Sequence, residues 1–148
     1  MAQMARPVKA AEAAISVIMP TIDWGPVFEH CLLAARAALR TGDQLLVVFD
    51  GPAPPPPAWL QNSGAVVLQT GERAGPAAAR NLAAQQASAG ILLFLDADVA
   101  LHPDAVQRVG VRFSEDSALD ALFGSYDATP AAPGLVSQFR NLLHHHTH

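Results

Sequence analysis

The 148-residue chain predicts an α/β fold, a mostly parallel sheet with helices on both faces. Two observations carry that expectation. Short runs of branched apolar residues alternate with stretches of helical period. A polar or turn-forming residue follows each run directly, as Pro20-Thr21, Asp50-Gly51 and Asp96-Ala97-Asp98 do. Parallel sheets bind ligands beyond the carboxyl ends of their strands, so these residues should gather on one rim, where independent structural turns would scatter.

Residues 1–14 read as a flexible leader and 15–148 as one domain. Ile15-Ser16-Val17-Ile18-Met19 is a strand ended by Pro20. A helix follows from about Pro26 to Leu39, with Phe28, Leu32, Ala35 and Leu39 at helical spacing. Gly42 punctuates, and Leu45–Phe49 forms the second strand. The proline run at 52–57 can be neither helix nor central strand and forms an extended loop. Ala65–Leu68 is a third short strand. Gly75-Pro76 opens a small-residue helix from Ala77 to about Ala87, since proline suits a first helical turn. Ile91–Leu95 is the fourth strand, and its unbroken apolar character reads as burial on both faces. Pro103 starts a helix to about Phe113, and Ala121–Phe123 is a candidate fifth strand. Pro133–His148 reads as an amphipathic helix whose Leu135, Phe139, Leu142 and Leu143 seek a partner surface, which favours self-association into a homo-oligomer.

Composition excludes several classes. At 51% hydrophobic and 15% charged, the chain is not disordered. A net charge of −4 argues against nucleic-acid binding, which needs a basic surface. A single cysteine, Cys31, rules out a disulfide framework and a multi-cysteine zinc site. No apolar stretch approaches the roughly 20 residues that span a bilayer, and no signal peptide is visible. The default location is therefore the cytoplasm.

Asp96 and Asp98 carry the chemistry. On an extended chain they point the same way, and two carboxylates on one side repel unless a cation or proton neutralises them. Mg²⁺ takes one or two carboxylates plus substrate phosphates, so the pair suggests a metal–diphosphate site. Its bland reading is a solvated strand-to-helix turn. A dinucleotide-binding Gly-x-Gly-x-x-Gly is absent after the first strand, and a P-loop is excluded because the only lysine, Lys9, precedes the fold. Phe94-Leu95-Asp96-Ala97-Asp98-Val99 superficially resembles the opening motif of haloacid-dehalogenase-type phosphatases. That chemistry needs a later lysine, and none follows.

Four segments taken together, Ile15–Thr21, Val47–Gly51, Gly75–Asn81 and Phe94–Asp98, resemble family-2 glycosyltransferases of the GT-A fold in order and spacing. The resemblance implies a Rossmann-like sheet of the nucleotide-diphospho-sugar transferase type. It implies that Pro20, Thr21 and Asp50 cradle the base and ribose of a UDP- or GDP-linked sugar, and that Arg80 lines the donor pocket. It implies that Asp96 and Asp98 hold Mg²⁺ or Mn²⁺ on the diphosphate, with Asp98 the direct ligand, for inverting transfer to an unassigned acceptor.

Each role has a bland competitor: a turn at Asp50-Gly51, a turn cap at Thr21, a surface cation at Arg80. Relatives commonly carry Asp-Asp-Gly-Ser where this chain has Phe49-Asp50-Gly51-Pro52. They also continue into an acceptor segment bearing the catalytic carboxylate. The chain is thus expected to be a donor-binding half, truncated at the C-terminus and lying at the inner membrane face in a full-length protein. Its catalytic base is unassigned, with Asp120 and Asp127 the first to test. The alternative is a non-catalytic nucleotide-sugar-binding module. His144 and His148, one helical turn apart, are a further candidate pair for a transition metal.

Overall fold

The computed structural model describes residues 13–126, and the chain divides into two compact units after Ser117. The first unit is built in the order β1 (Ile15–Thr21), α1 (Pro26–Ala38), β2 (Gln44–Phe49), α2 (Ala58–Gln61), β3 (Val66–Gln69), α3 (Pro76–Gln86), β4 (Ile91–Phe94) and α4 (Ala105–Glu115). All four strands are parallel and lie in the order β3-β2-β1-β4. The α/β reading holds. Residues 1–12 of the expected leader at 1–14, the helix at 133–148, Asp127 and the terminal histidines lie outside the described residues.

Alternation of side chains along β1 divides the core into two layers. Ile15, Val17 and Met19, with Leu45 and Val47 of β2, pack against Phe28, Cys31, Leu32 and Ala35 of α1 and Val106 of α4. Ile18, Leu46 and Val48 face the other way, onto Ala79 and Ala83 of α3. Those alanines are wholly buried, so α3 rides on the sheet with methyl-sized side chains between. Every residue of β1 is buried, and each large apolar side chain there contributes about 1.5–3 kcal/mol of transfer free energy.

Three expectations are corrected, and one short helix is added. β1 does not end before Pro20; it runs through it to Thr21, with Pro20 opposite Val48. The Ile18 carbonyl accepts from the Leu95 amide at 2.9 Å. By alternation, the missing N–H of Pro20 faces the same side, where β4 has already stopped pairing. The proline is tolerated in a central strand because its deficient edge meets no partner.

β4 is not buried on both faces. Among the described residues it is an edge strand, with Leu92 36% and Phe94 47% exposed, because α3 packs on β1 and β2 and leaves that stretch of the sheet uncovered. Ala121–Phe123 is not a strand: residues 118–126 carry neither helix nor strand, and Leu122 and Phe123 are exposed. α2 was not anticipated. It is a single turn after the prolines, too short to show a period, fixed by buried Leu60 and by a 2.6 Å bond from the Ser63 hydroxyl to the Leu60 carbonyl.

The proline run is held by aromatic packing. The Trp24 indole N–H donates to the Pro54 carbonyl at 3.2 Å, and its ring lies 4.6 Å from Phe49 and 5.9 Å from Phe28. Phe28 in turn meets Trp59 of α2 at 6.1 Å. These tilted contacts tie α1, β2 and α2 into one corner.

At the opposite end of the sheet, Asp43 joins the start of β1 to the end of α1. Its carboxylate accepts from the Ile15 amide at 2.8 Å, the Arg40 amide at 2.8 Å and the Arg40 guanidinium at 2.9–3.0 Å. Burial works against its ionised form, but the Arg40 guanidinium and the two amides outweigh it, and the carboxyl titrates below its ordinary value. That stabilisation is complete above pH 3.8 and is lost as pH falls through the lowered folded value. Asp43→Ala should destabilise the fold by about 2–3 kcal/mol, since it strands a buried amide and a partly buried guanidinium. Asp43→Asn, which keeps one acceptor, should cost less. Urea denaturation of the two variants checks the order.

Candidate functional site: a cleft beyond the strand ends

The order β3-β2-β1-β4 reverses direction between β1 and β4, and open parallel sheets bind ligands at such a switch point. A cleft of about 320 Å³ lies there, within the size range of small-molecule sites. Pro20, Thr21, Asp50, Arg80, Asp96 and Asp98 all line it. The six residues singled out in the sequence therefore share one cavity, though by different means.

Thr21 ends β1. Its hydroxyl donates to the Asp23 carbonyl at 2.8 Å and receives the Asp23 amide at 3.3 Å. The Asp23 carboxylate then accepts from the Gly25 amide at 2.6 Å, which sets the entry to α1. Thr21 is thus engaged as a turn former while its edge borders the cleft.

Asp50 ends β2 and is almost fully buried. One carboxylate oxygen accepts from the Ala74 amide at 2.9 Å and lies 3.0 Å from the Thr70 hydroxyl; the other accepts from the Gly75 amide at 3.0 Å. The Ala74 N–H chiefly, then the Thr70 hydroxyl, the Gly75 N–H and the Arg73 charge, hold its carboxyl below the usual value despite burial. Gly75 sits at φ +89°, a conformation that disfavours any side chain. Asp50 and Gly75 together fix where α3 begins, and Pro76 at its first turn lines the cleft.

Arg80 stands one turn into α3, and its guanidinium meets the Asp96 carboxylate at 2.6 Å. β4 ends at Phe94, one residue short of the expected Leu95, and Asp96 follows after Leu95. Asp98 does not continue an extended chain, as the two-residue spacing suggested: the Val99 amide bonds the Asp96 carbonyl at 3.2 Å, and residues 97–98 form a turn. The turn still leaves both side chains exposed on the cleft. Among the described residues, no hydrogen bond or ion pair engages Asp98. Its charge, after burial, pushes the Cys31 thiol of α1 upward, which suits an inert core cysteine.

The sequence model of glycosyl transferase family 2 matches residues 16–141. The chain belongs to this family. Membership disposes of the phosphatase alternative. Solved family-fold relatives agree in architecture. The crystal structure of S. aureus TarS 1-349 superposes with a TM-score of 0.59 at 22% identity, over 69% of this chain and 32% of that one. The crystal structure of S. aureus TarS gives the same score and identity over 20% of its own length. The mannosyltransferase PcManGT from Pyrobaculum calidifontis, in complex with GDP-Man and Mn²⁺, gives 0.55 at 24% identity over 64% of this chain and 32% of that one. This family-2 chain thus spans a third or less of these proteins. No curated protein sequence matches it. No helix among the described residues is long and apolar enough to cross a membrane.

Several cleft residues escaped the sequence reading. Ile22, Val27 and Phe28 supply an apolar wall, and Asp23 borders it. Thr70 is the polar tie between Asp50 and the following loop, and it also receives the Gly51 amide at 2.8 Å. A threonine after a short edge strand carries no signal of its own; the partnership exists only once β3 pairs with β2.

Because the folded pKa of Asp50 is lowered, its bonds persist above pH 3.8 and fail as pH falls through the folded value. The amide resonances of Ala74 and Gly75 should therefore titrate together with a midpoint below 3.8. Asp50→Asn should abolish that shared transition. Nuclear magnetic resonance on labelled protein measures both.

Proposed function

We propose that this chain forms the donor side of an inverting, divalent-metal-assisted glycosyltransferase that binds a nucleoside-diphosphate sugar. The observation that carries the reading is the placement of two exposed carboxylates, Asp96 and Asp98, in a cleft shared with Arg80, Asp50 and Pro20-Thr21. The GDP-Man and Mn²⁺ held by the mannosyltransferase of the same fold support a nucleotide sugar and a metal here.

The donor set fits a hard cation. Among the described residues, no group of three His, Cys, Asp or Glu side chains is placed to enclose a metal. A pair of carboxylates on an open cleft instead matches Mg²⁺ or Mn²⁺, ions that accept oxygen ligands; Mg²⁺ in particular keeps waters and takes phosphates to complete its shell. Asp98, without a partner among the described residues, is the direct ligand in this reading, and Asp96 the second carboxylate. When bound, the cation neutralises charge developing on the departing diphosphate.

The protein's own groups do the rest. Arg80 places a guanidinium beside the carboxylates, where phosphate oxygens would lie. Ile22, Val27 and Phe28 offer an apolar wall for a base or ribose to pack against. Asp50 shapes the pocket by fixing the start of α3, and one lone-pair site of its Oδ2 is left for a ribose or base. No general base for the acceptor is assigned.

Titration calorimetry with UDP and GDP, each with and without Mn²⁺, tests the reading. One nucleotide should bind, and Mn²⁺ should strengthen it. Asp98→Asn should weaken the metal-linked part by about tenfold or more and leave the metal-free part nearly unchanged. Failure of folded protein to bind either nucleotide overturns the donor site, and binding indifferent to Mn²⁺ overturns the role of the aspartates.

A further inference from the structure

Asp96 and Asp98, the two exposed carboxylates beyond β4, are not equivalent. Asp96 already has a cation, the Arg80 guanidinium at 2.6 Å, whereas Asp98 has no partner among the described residues. Arg80 offsets one of these two negative charges, so the pair attracts a bare divalent cation less than two unpaired carboxylates would. The Arg80–Asp96 pair is also open to solvent, with side-chain exposures of 32% and 60%. Ion pairs so exposed are worth no more than about fivefold in an equilibrium. A stronger anion can therefore take the guanidinium away.

A diphosphate is such an anion. Its oxygens match the planar donor fork of arginine better than one carboxylate oxygen does. Arg80 stands one turn into α3, and Pro76, the first residue of that helix, lines the same cleft. A diphosphate in the cleft can therefore meet the guanidinium where it stands.

We propose that Arg80 withholds Asp96 from a divalent cation until a diphosphate supplies the guanidinium with a new partner, so that cation and nucleoside diphosphate bind with positive coupling. The inference rests on the metal–diphosphate reading above and adds the origin of the coupling. Arg80 is then a positioning residue: in the free protein it occupies one oxygen of Asp96, and in the loaded cleft it pairs with phosphate and frees that oxygen. Linkage requires the effect to be mutual, with the cation tightening the nucleotide by the same factor.

The sign of one substitution separates this role from the alternatives. Removing a cleft side chain that merely supports the fold would weaken every ligand. Removing Arg80 should instead strengthen the binding of Mn²⁺ alone while weakening the nucleotide. The test is titration of free Mn²⁺ by electron paramagnetic resonance for wild type, Arg80→Ala, Arg80→Gln and Arg80→Lys. It is repeated with saturating UDP or GDP, whichever the wild type binds.

Arg80→Ala and Arg80→Gln should bind Mn²⁺ alone about twofold to fivefold more tightly than wild type, and the nucleotide should enhance their Mn²⁺ affinity by a smaller factor. Arg80→Lys, which keeps the charge, should stay near wild type for Mn²⁺ alone. Unchanged or weaker Mn²⁺ binding in both neutral variants, with native circular dichroism, overturns the proposal even if wild type binds nucleotide with Mn²⁺. Absence of any nucleotide binding by wild type overturns the underlying donor-site reading as well.

Discussion

The parting of β1 and β4 is the constraint on which the rest of this fold depends. The two strands pair only from Ile15 to Ile18 on one side and from Ile91 to Phe94 on the other. Beyond Ile18, β1 carries Pro20, which has no amide to offer, and β4 turns away into Asp96. β4 ends there, while β2 goes on pairing with β1 as far as Thr21 and Phe49. The crevice between two parallel strands thus follows from the strand order and the early end of β4, and Pro20 fits the stretch of β1 where no amide is called for. The side chains that line it inherit their positions from that gap.

What keeps the opposite wall in place is a second device, the Asp50 carboxylate. A charged group that is nearly buried needs its lone pairs filled, and Asp50 fills them with amides from the loop that enters α3. The desolvation of one carboxylate is thereby turned into a fixed start for a helix with no side-chain cap of its own. Arg80 follows at one turn, so the guanidinium that meets Asp96 is located through β2 rather than through β4. Two strand ends on either side of β1 are coupled through α3 without touching each other.

Much of this was legible in the residues, and the parts that were not share a cause. Strand and helix order followed from apolar runs and helical period, and the rim of polar residues followed from the rule for parallel sheets. In sequence Pro20 reads as a terminator, because a lost amide does not say which side of β1 lacks a neighbour. Leu92 and Phe94 read as core, because an apolar run does not say which neighbours cover it. Extended backbone would set Asp96 and Asp98 on one side, whereas here a turn at Asp96–Val99 leaves both on the cleft. The ion pair of Asp96 with Arg80 spans sixteen positions and depends on how α3 lies on the sheet, which no local pattern encodes. Thr70 and Ala74, the partners of Asp50, are silent in sequence for the same reason.

The aromatic corner around the proline run has an optical consequence. The chain has two tryptophans, and both stand against Phe28, Trp24 at 5.9 Å and Trp59 at 6.1 Å. Phe28 itself lines the cleft. Intrinsic tryptophan emission from this protein is therefore not an average over the molecule. It comes from one end of α1, from α2 and from the apolar layer they share, on the face of the sheet away from α3. A change in its colour or intensity would report the hydration of that corner alone.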